Sequence, residues 1–263
     1  MPVHVDAEVR RLGQQEFGRI AYGVMEHVFA VHKEMGRFFD EDIYRTVVAS
    51  RVRRSQTEVL VEVRFEDYRK QYYMDLLVDS GAVFELKAVR TLGAPQRAQL
   101  LNYLLLTGLS HGKLVNFGHE RVEHEFVNTH LELADRTEFR IVERDWKDPG
   151  PIGRPLQPWL LALLRDVGTG LDIHLYESAV SHVFGGDDAV TQEVAIFAGS
   201  CRLGNQKLRL AAPGWAFKVT AVDDSIFSGY EDHARRLLAH TTLDGLHWIN
   251  VTRDCVAFTT IEK

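Results

Sequence analysis

Residues 72–89 read Y-Y-M-D-L-L-V-D-S-G-A-V-F-E-L-K-A-V, two apolar runs on either side of Asp79-Ser80-Gly81. Side chains alternate along a strand, so the charged positions inside these runs are assigned to a face as soon as the turn is known. A three-residue loop with Gly81 left-handed sets Val78 against Ala82. Counting back from that pair puts Asp75 directly opposite Glu85. A two- or four-residue loop would put Asp75 against Phe84 or Leu86 and break the inside/outside pattern, so the odd loop is expected.

Opposed residues have side chains about 5 Å apart, and two carboxylates there repel. A divalent cation would offset the repulsion, because hard cations take carboxylate oxygens, and the carbonyl of Leu86 would be a further ligand. Lys87 shares the face of Glu85, where its ammonium would orient a water or stabilise developing negative charge. The same residues also fit a solvated hairpin in which Lys87 simply pairs with Asp75 or Glu85, since a D…ExK spacing is common by chance.

The chain around the hairpin reads as alternating helices and strands. Over 14–35, Phe17, Ile20, Ala21, Val24, Val28 and Val31 recur at three- and four-residue steps and build one apolar helical face, which Gly36 ends. A second helix is expected from about Asp40. The acidic run Asp40-Glu41-Asp42 suits its first turn, and Glu41 and Tyr44 are three apart. Residues 56–65 alternate as a strand. Pro95 fits the first turn of a helix that carries Gln99 and Tyr103 together, and short strands are expected at 113–117 and 122–127. Helix, three strands, helix, strand is an α/β order with a mixed sheet. Asp148-Pro149-Gly150-Pro151 and Gly153-Arg154-Pro155 read as turn and linker material. The expected division is a domain at 1–130, a linker at 131–155 and a second domain at 156–263.

Composition removes several classes. No apolar run approaches the length of a membrane span, and the start, M-P-V-H-V-D-A-E-V-R-R, has no signal-peptide pattern. Cys201 and Cys255 form no disulfide framework and no zinc spacing, which points to a reduced, cytoplasmic protein. His111, His119, His124 and His130 show no ligand spacing. The net charge of −6 argues against strong non-specific binding to nucleic acid. Local basic groups remain as substrate-binding candidates: Arg51, Arg53 and Arg54 before the first strand, and Arg90 and Arg97 after the hairpin.

Taken together, V-H-K-E-M-G (31–36), E-D-I-Y (41–44), M-D-L-L-V (74–78), F-E-L-K-A-V (84–89) and A-Q-L-L-N-Y-L-L-L-T-G (98–108) resemble the GxxExxY proteins of the PD-(D/E)XK nuclease superfamily. The resemblance spans roughly 15–127. It implies a restriction-endonuclease-like core in which Glu41, Asp75 and Glu85 hold Mg2+ or Mn2+ and Lys87 assists the attacking water. Gln99 and Tyr103 match the Q-x-x-x-Y motif that lies near metal and DNA in that superfamily. Phe38 stands where the family motif begins with glycine, and Met74 stands where a proline precedes the aspartate.

A fainter copy of the pattern follows. Residues 163–172 track 31–40, with Gly168 on Gly36 and Gly170 in the place of Phe38. Tyr176 falls on Tyr44, Leu208-Arg209-Leu210 on Met74-Asp75-Leu76, and residues 217–222 on 84–89. Trp248-Ile249-Asn250 falls on Leu114-Val115-Asn116. Glu41, Asp75, Glu85, Lys87, Gln99 and Tyr103 are answered by Ile173, Arg209, Lys218, Thr220, His233 and Leu237. The Pro213-Gly214 turn would place Arg209 opposite Lys218. Two such cations would hold phosphate or be solvated, but not hold magnesium.

The expectation is therefore a tandem of a nuclease domain and a degenerate pseudo-nuclease domain, which would replace the second subunit of a dimer as an intramolecular pseudo-dimer, grip substrate, or only stabilise the fold. Its activity would be metal-dependent cleavage of DNA phosphodiesters. A catalytically idle nucleic-acid-binding or protein-interaction module of the same fold is the alternative, and RNA as the substrate uses the same residues.

Overall fold

The computed structural model describes residues 2–263, with Asp224 described by its backbone alone. Met1, the first residue of the expected 1–130 domain, lies outside the described residues. Two compact units divide between Leu133 and Ala134.

The first unit contains β1 (Val3–Val5), α1 (Gln14–Met35), α2 (Glu41–Arg51), β2 (Ser55–Phe65), β3 (Tyr68–Val78), β4 (Ala82–Lys87), α3 (Ala94–Thr107), β5 (His111–Asn116) and β6 (Glu123–Asn128). Its sheet order is β1-β2-β3-β4-β5-β6. The β4–β5 pair is parallel and the other pairs are antiparallel. This is a mixed α/β fold with helices against the sheet, consistent with a PD-(D/E)XK-like core. One apolar cluster joins Val24, Val28 and Val31 of α1 and Tyr44 and Val48 of α2 to Leu76, Val78, Phe84 and Leu86 of the hairpin. Val28 and Val31 are completely buried, and each such side chain contributes about 1.5–3 kcal/mol of transfer free energy.

The hairpin has the expected register, with Val78 paired to Ala82 and Leu76 to Phe84. The turn reaches it differently. Asp79 and Ser80 adopt positive φ of 48° and 58°, and Gly81 does not. Glycine is needed at 81 for space instead, since a Cβ there would lie 2.5 Å from the Arg10 carbonyl oxygen and 2.6 Å from Leu12 Cγ. Phe38 likewise has no left-handed backbone, so its side chain costs the loop before α2 nothing, and the ring is exposed.

The second unit contains α4 (Ala134–Thr137), β7 (Arg140–Arg144), α5 (Leu156–Val167), α6 (Ile173–Val183), α7 (Asp187–Val190), β8 (Thr191–Ala198), β9 (Cys201–Ala212), β10 (Trp215–Thr220), α8 (Phe227–Ala239), β11 (Gly245–Val251) and β12 (Cys255–Glu262). Its sheet order is β7-β12-β11-β10-β9-β8. The β8–β9–β10 meander is antiparallel, β10–β11 is parallel and β11–β12 is antiparallel, which repeats the sense of β2 through β6.

Two hydrogen-bond devices recur as well. Tyr44 donates to the Gly36 carbonyl at 2.7 Å and accepts from Phe39 N–H. Tyr176 donates to the Gly168 carbonyl at 2.8 Å and accepts from Leu171 N–H. Asn116 pairs its amide with both backbone groups of Val89, and Asn250 does the same with Val222. These polar contacts fix the helix-to-helix turn and the exit of the central strand in each unit.

The stretch 131–155 is not a free linker. It carries α4 and β7, and β7 pairs in parallel with β12. Its proline- and glycine-rich segment folds tightly. Asp148 accepts hydrogen bonds from Gly150, Leu156 and Gln157 N–H and so caps α5, and a Cβ at Gly150 would lie 2.3 Å from Leu156 N.

Candidate active site

Four elements of the first unit deliver the predicted residues. Glu41 stands in the first turn of α2, Asp75 on β3, Glu85 and Lys87 on β4, and Gln99 and Tyr103 on α3. The strand β4 is central in its sheet and buried along its whole length. Its two charged side chains therefore sit where charge is costly unless paired.

The pairing is a cluster centred on Lys87. Its Nζ lies 2.6 Å from Glu85 Oε1, 3.1 Å from Glu41 Oε1 and 3.8 Å from Asp75 Oδ2. Asp75 is held on both sides: Arg45 Nη1 donates to Oδ1 at 3.0 Å, and Leu86 N–H donates to Oδ2 at 2.8 Å. Glu85 is 0% exposed, and neither carboxylate oxygen receives an aligned hydrogen bond despite the nearby ammonium. Gln99 Nε2 donates to the Tyr103 hydroxyl at 3.1 Å, and Tyr103 meets Tyr72 edge to face.

Burial, and then the like charge of Asp75, push the Glu85 carboxyl up to about 8, while Lys87 works the other way. Burial also raises Glu41. Burial alone would lower Lys87, but Glu85, Asp75 and Glu41 together hold its ammonium above the ordinary lysine range. Burial and Glu85 raise the Tyr103 phenol. Near neutrality the site therefore holds the Lys87 ammonium and a proton on Glu85.

Among the described residues, no three His, Cys, Asp or Glu side chains are disposed as a ready-made metal cage. The donor set nevertheless fits a hard divalent ion. It consists of carboxylate oxygens, two of them on Glu85 without hydrogen bonds, gathered around a point that now carries the positive charge of Lys87. Leu86 faces this cluster through its N–H, which is bonded to Asp75.

The basic candidates divide. Arg90 is exposed three residues beyond Lys87. Arg97 pairs with Glu125 of β6 at 2.5 Å. Arg51 pairs with Glu34, and Arg54 lies 3.5 Å from Asp79 at the hairpin turn. Arg51 ends the helix that Glu41 begins, about 15 Å along its axis. With Arg53 exposed beside them, Arg51 and Arg54 belong to the turn end of the hairpin and not to the carboxylate cluster. The length of α2 therefore sets these three arginines apart from the carboxylates, so any substrate contact they make lies away from the reacting centre.

One participant was not foreseen. Arg45 binds Asp75, Asp42 and Glu58 at once. Glu58 has a positive φ of 52°, a conformation uncommon for a residue with a side chain. Arg45 lies one helical turn after Glu41, and that four-residue spacing is the signal that could have found it. In the second unit Glu177, one residue after Tyr176 as Arg45 is after Tyr44, binds Arg209 Nη1 at 3.1 Å.

Residues 18–128 match the family model of the PD-(D/E)XK nuclease superfamily, a stretch that includes Glu41, Asp75, Glu85, Lys87, Gln99 and Tyr103. That superfamily typically hydrolyses phosphodiester bonds and generally uses divalent metals. No curated protein matches the chain. Among solved structures, the crystal structure of SSO0001 is similar at 22% identity over 46% of this chain, with a TM-score of 0.30, and the matched part spans 61% of that chain. Among the described residues, no helix is long and apolar enough to cross a membrane.

Proposed function

We propose that the first unit is a metal-dependent phosphodiesterase acting on DNA, of the GxxExxY kind. The observation that carries this reading is the convergence of Glu41, Asp75 and Glu85, from three separate elements, on one buried cationic point. Glu41, Asp75 and Glu85, with the Leu86 carbonyl, would hold Mg2+ or Mn2+. Such an ion supplies Lewis acidity toward a phosphate oxygen and lowers the pKa of a bound water.

The chain's own groups account for the rest. Lys87, displaced from the centre, keeps its proton and turns its ammonium to the attacking water or the developing negative charge. Arg45 and the Leu86 N–H fix the orientation of Asp75. Gln99 and Tyr103 form the wall beside Glu85, where the raised phenol stays protonated and donates a hydrogen bond. Arg90 supplies a phosphate contact at the mouth. We read the second unit as a copy of the fold whose site residues have been replaced, with Thr220 in the place of Lys87 bonded inward to Trp248 and Asn250.

The test is cleavage of single- and double-stranded DNA in Mg2+ and in Mn2+. Asp75→Ala and Lys87→Ala should each abolish it, and unchanged cleavage in either variant refutes the assignment. A second reading, an idle binding module, is favoured by the engagement of both Asp75 oxygens by Arg45 and Leu86 N–H. It requires DNA to be bound and left uncut by the wild-type chain in either metal.

A further inference from the structure

The second unit carries an open cavity of about 340 Å³ between β9, β10 and α8. By strand order this is where the first unit holds its carboxylates, but the lining is cationic. Arg209 and Lys218 reach it from neighbouring strands, joined by Lys207 and His233. The expected opposition of Arg209 and Lys218 is broken, because the register shifts between Trp215 and Ala216 and pairs Ala216 with Leu210. The two side chains still converge, since Arg209 Nη1 lies 3.1 Å and Lys218 Nζ 3.4 Å from the same oxygen, Glu177 Oε1.

A solvated cationic face would need none of this. Glu177 is buried and offsets one of the two charges it touches, and His174 Nδ1 stands 3.6 Å from its other oxygen. Asp187, 3.5 Å from Arg209 Nε, is 57% exposed and therefore screened by solvent. Lys218 remains 50% exposed, so its ammonium has donors to spare toward the cavity. The floor is apolar: Ala216 and Leu246 are buried, and Tyr230 is stacked on Trp248 with centroids 4.5 Å apart. Leu208 and Leu237 add to the apolar part of the lining. A compact anion with a flat apolar body meets both halves of this lining, and the volume is in the range of small-ligand sites.

We propose that this cavity binds a nucleoside monophosphate unit, either free or carried in a single-stranded nucleic acid. The phosphate lies on Arg209 and Lys218 as charge-assisted hydrogen bonds, and the base lies against Tyr230 and Leu237. Glu177 keeps the two cations aimed at one point when the cavity is empty of ligand.

The test is calorimetric titration of the full chain, in EDTA, with deoxyadenosine monophosphate, deoxyadenosine, inorganic phosphate and a single-stranded deoxyadenosine tetranucleotide. The monophosphate is expected to bind about tenfold or more tighter than deoxyadenosine and than phosphate. Lys218→Gln and Arg209→Gln should each weaken it about tenfold. Arg209→Gln leaves the buried Glu177 short of a partner and can fail to fold, whereas Lys218→Gln alters a half-exposed side chain and keeps the test decisive. Tetranucleotide binding at least as tight as the monomer marks a strand-borne unit, and selective binding of the monomer marks a free nucleotide. Equal affinities for deoxyadenosine and its monophosphate, no binding of either phosphate-bearing nucleotide, or a folded Lys218→Gln with wild-type affinity overturns the proposal.

Discussion

A carboxyl that is fully buried beside another carboxyl should leave a signature in the pH dependence of stability, and Glu85→Gln isolates it. The folded-state value of Glu85 is about 8 against an ordinary value of 4.5. Because the folded value is raised, the proton favours the folded state. The associated stability is fully present below about pH 4.5 and is lost as pH rises through about 8. With these two values the linkage relation gives a loss of several kcal/mol, on the order of 3–4, between about pH 5 and pH 8. Glu41 is shifted in the same direction and adds to the slope. Lys87 is raised from 10.5, so its contribution is constant across this window. The assay is denaturant unfolding of the full chain in EDTA across that pH range, for the wild type and for Glu85→Gln. The wild type should lose stability as pH rises, and the variant, which cannot titrate at this position, should lose markedly less. Equal slopes in the two proteins refute the account of Glu85 as a carboxyl kept protonated by burial.

Other perturbations read the same site and its frame. Arg45→Met removes the bond to Asp75 Oδ1 and should cost on the order of 2–3 kcal/mol in metal-free unfolding, because a largely buried carboxylate loses its charged partner. Tyr44→Phe and Tyr176→Phe each delete an O–H that serves a glycine carbonyl and a backbone N–H. Each should destabilise its own unit by about 1–2 kcal/mol, read as a local loss of hydrogen-exchange protection. Lys87→Met leaves three carboxyls without their cation, so added Mn2+ should raise its melting temperature by more than it raises that of the wild type.

The hairpin was legible in the sequence because turn length and alternation together leave one register that keeps Leu76, Val78, Phe84 and Leu86 inside. Asp75 and Glu85 follow from that count. What the same residues hid was how the turn is made: the positive φ falls on Asp79 and Ser80, while Gly81 answers to the neighbouring Arg10 and Leu12. That is a tertiary contact some seventy residues away in sequence, and no local pattern carries it. Arg45 was overlooked because an arginine on a helix is usually solvated, although its spacing from Glu41 was visible. Strand β7 was hidden for the opposite reason. Its residues are mostly exposed and charged, and the apolar pair Ile141-Val142 is too short to show the alternation of a strand. The charge of Arg51, Arg53 and Arg54 is visible in the sequence, but their distance from the carboxylates is set by the length of α2. In the second unit Tyr176 and Asn250 make the same backbone contacts as Tyr44 and Asn116, while Glu177 and Arg209 form an ion pair of their own.

The central claim is that Lys87 and a proton on Glu85 together stand in for a divalent cation, and a Mn2+ titration at about pH 7 in two buffers of different ionisation enthalpy tests it most directly. With Glu85 at about 8, binding should release most of a proton per site near neutrality and far less near pH 9. Both the release and most of the affinity should be lost in Glu85→Gln. Absence of Mn2+ binding, or binding with no proton released and no dependence on Glu85, would contradict the claim.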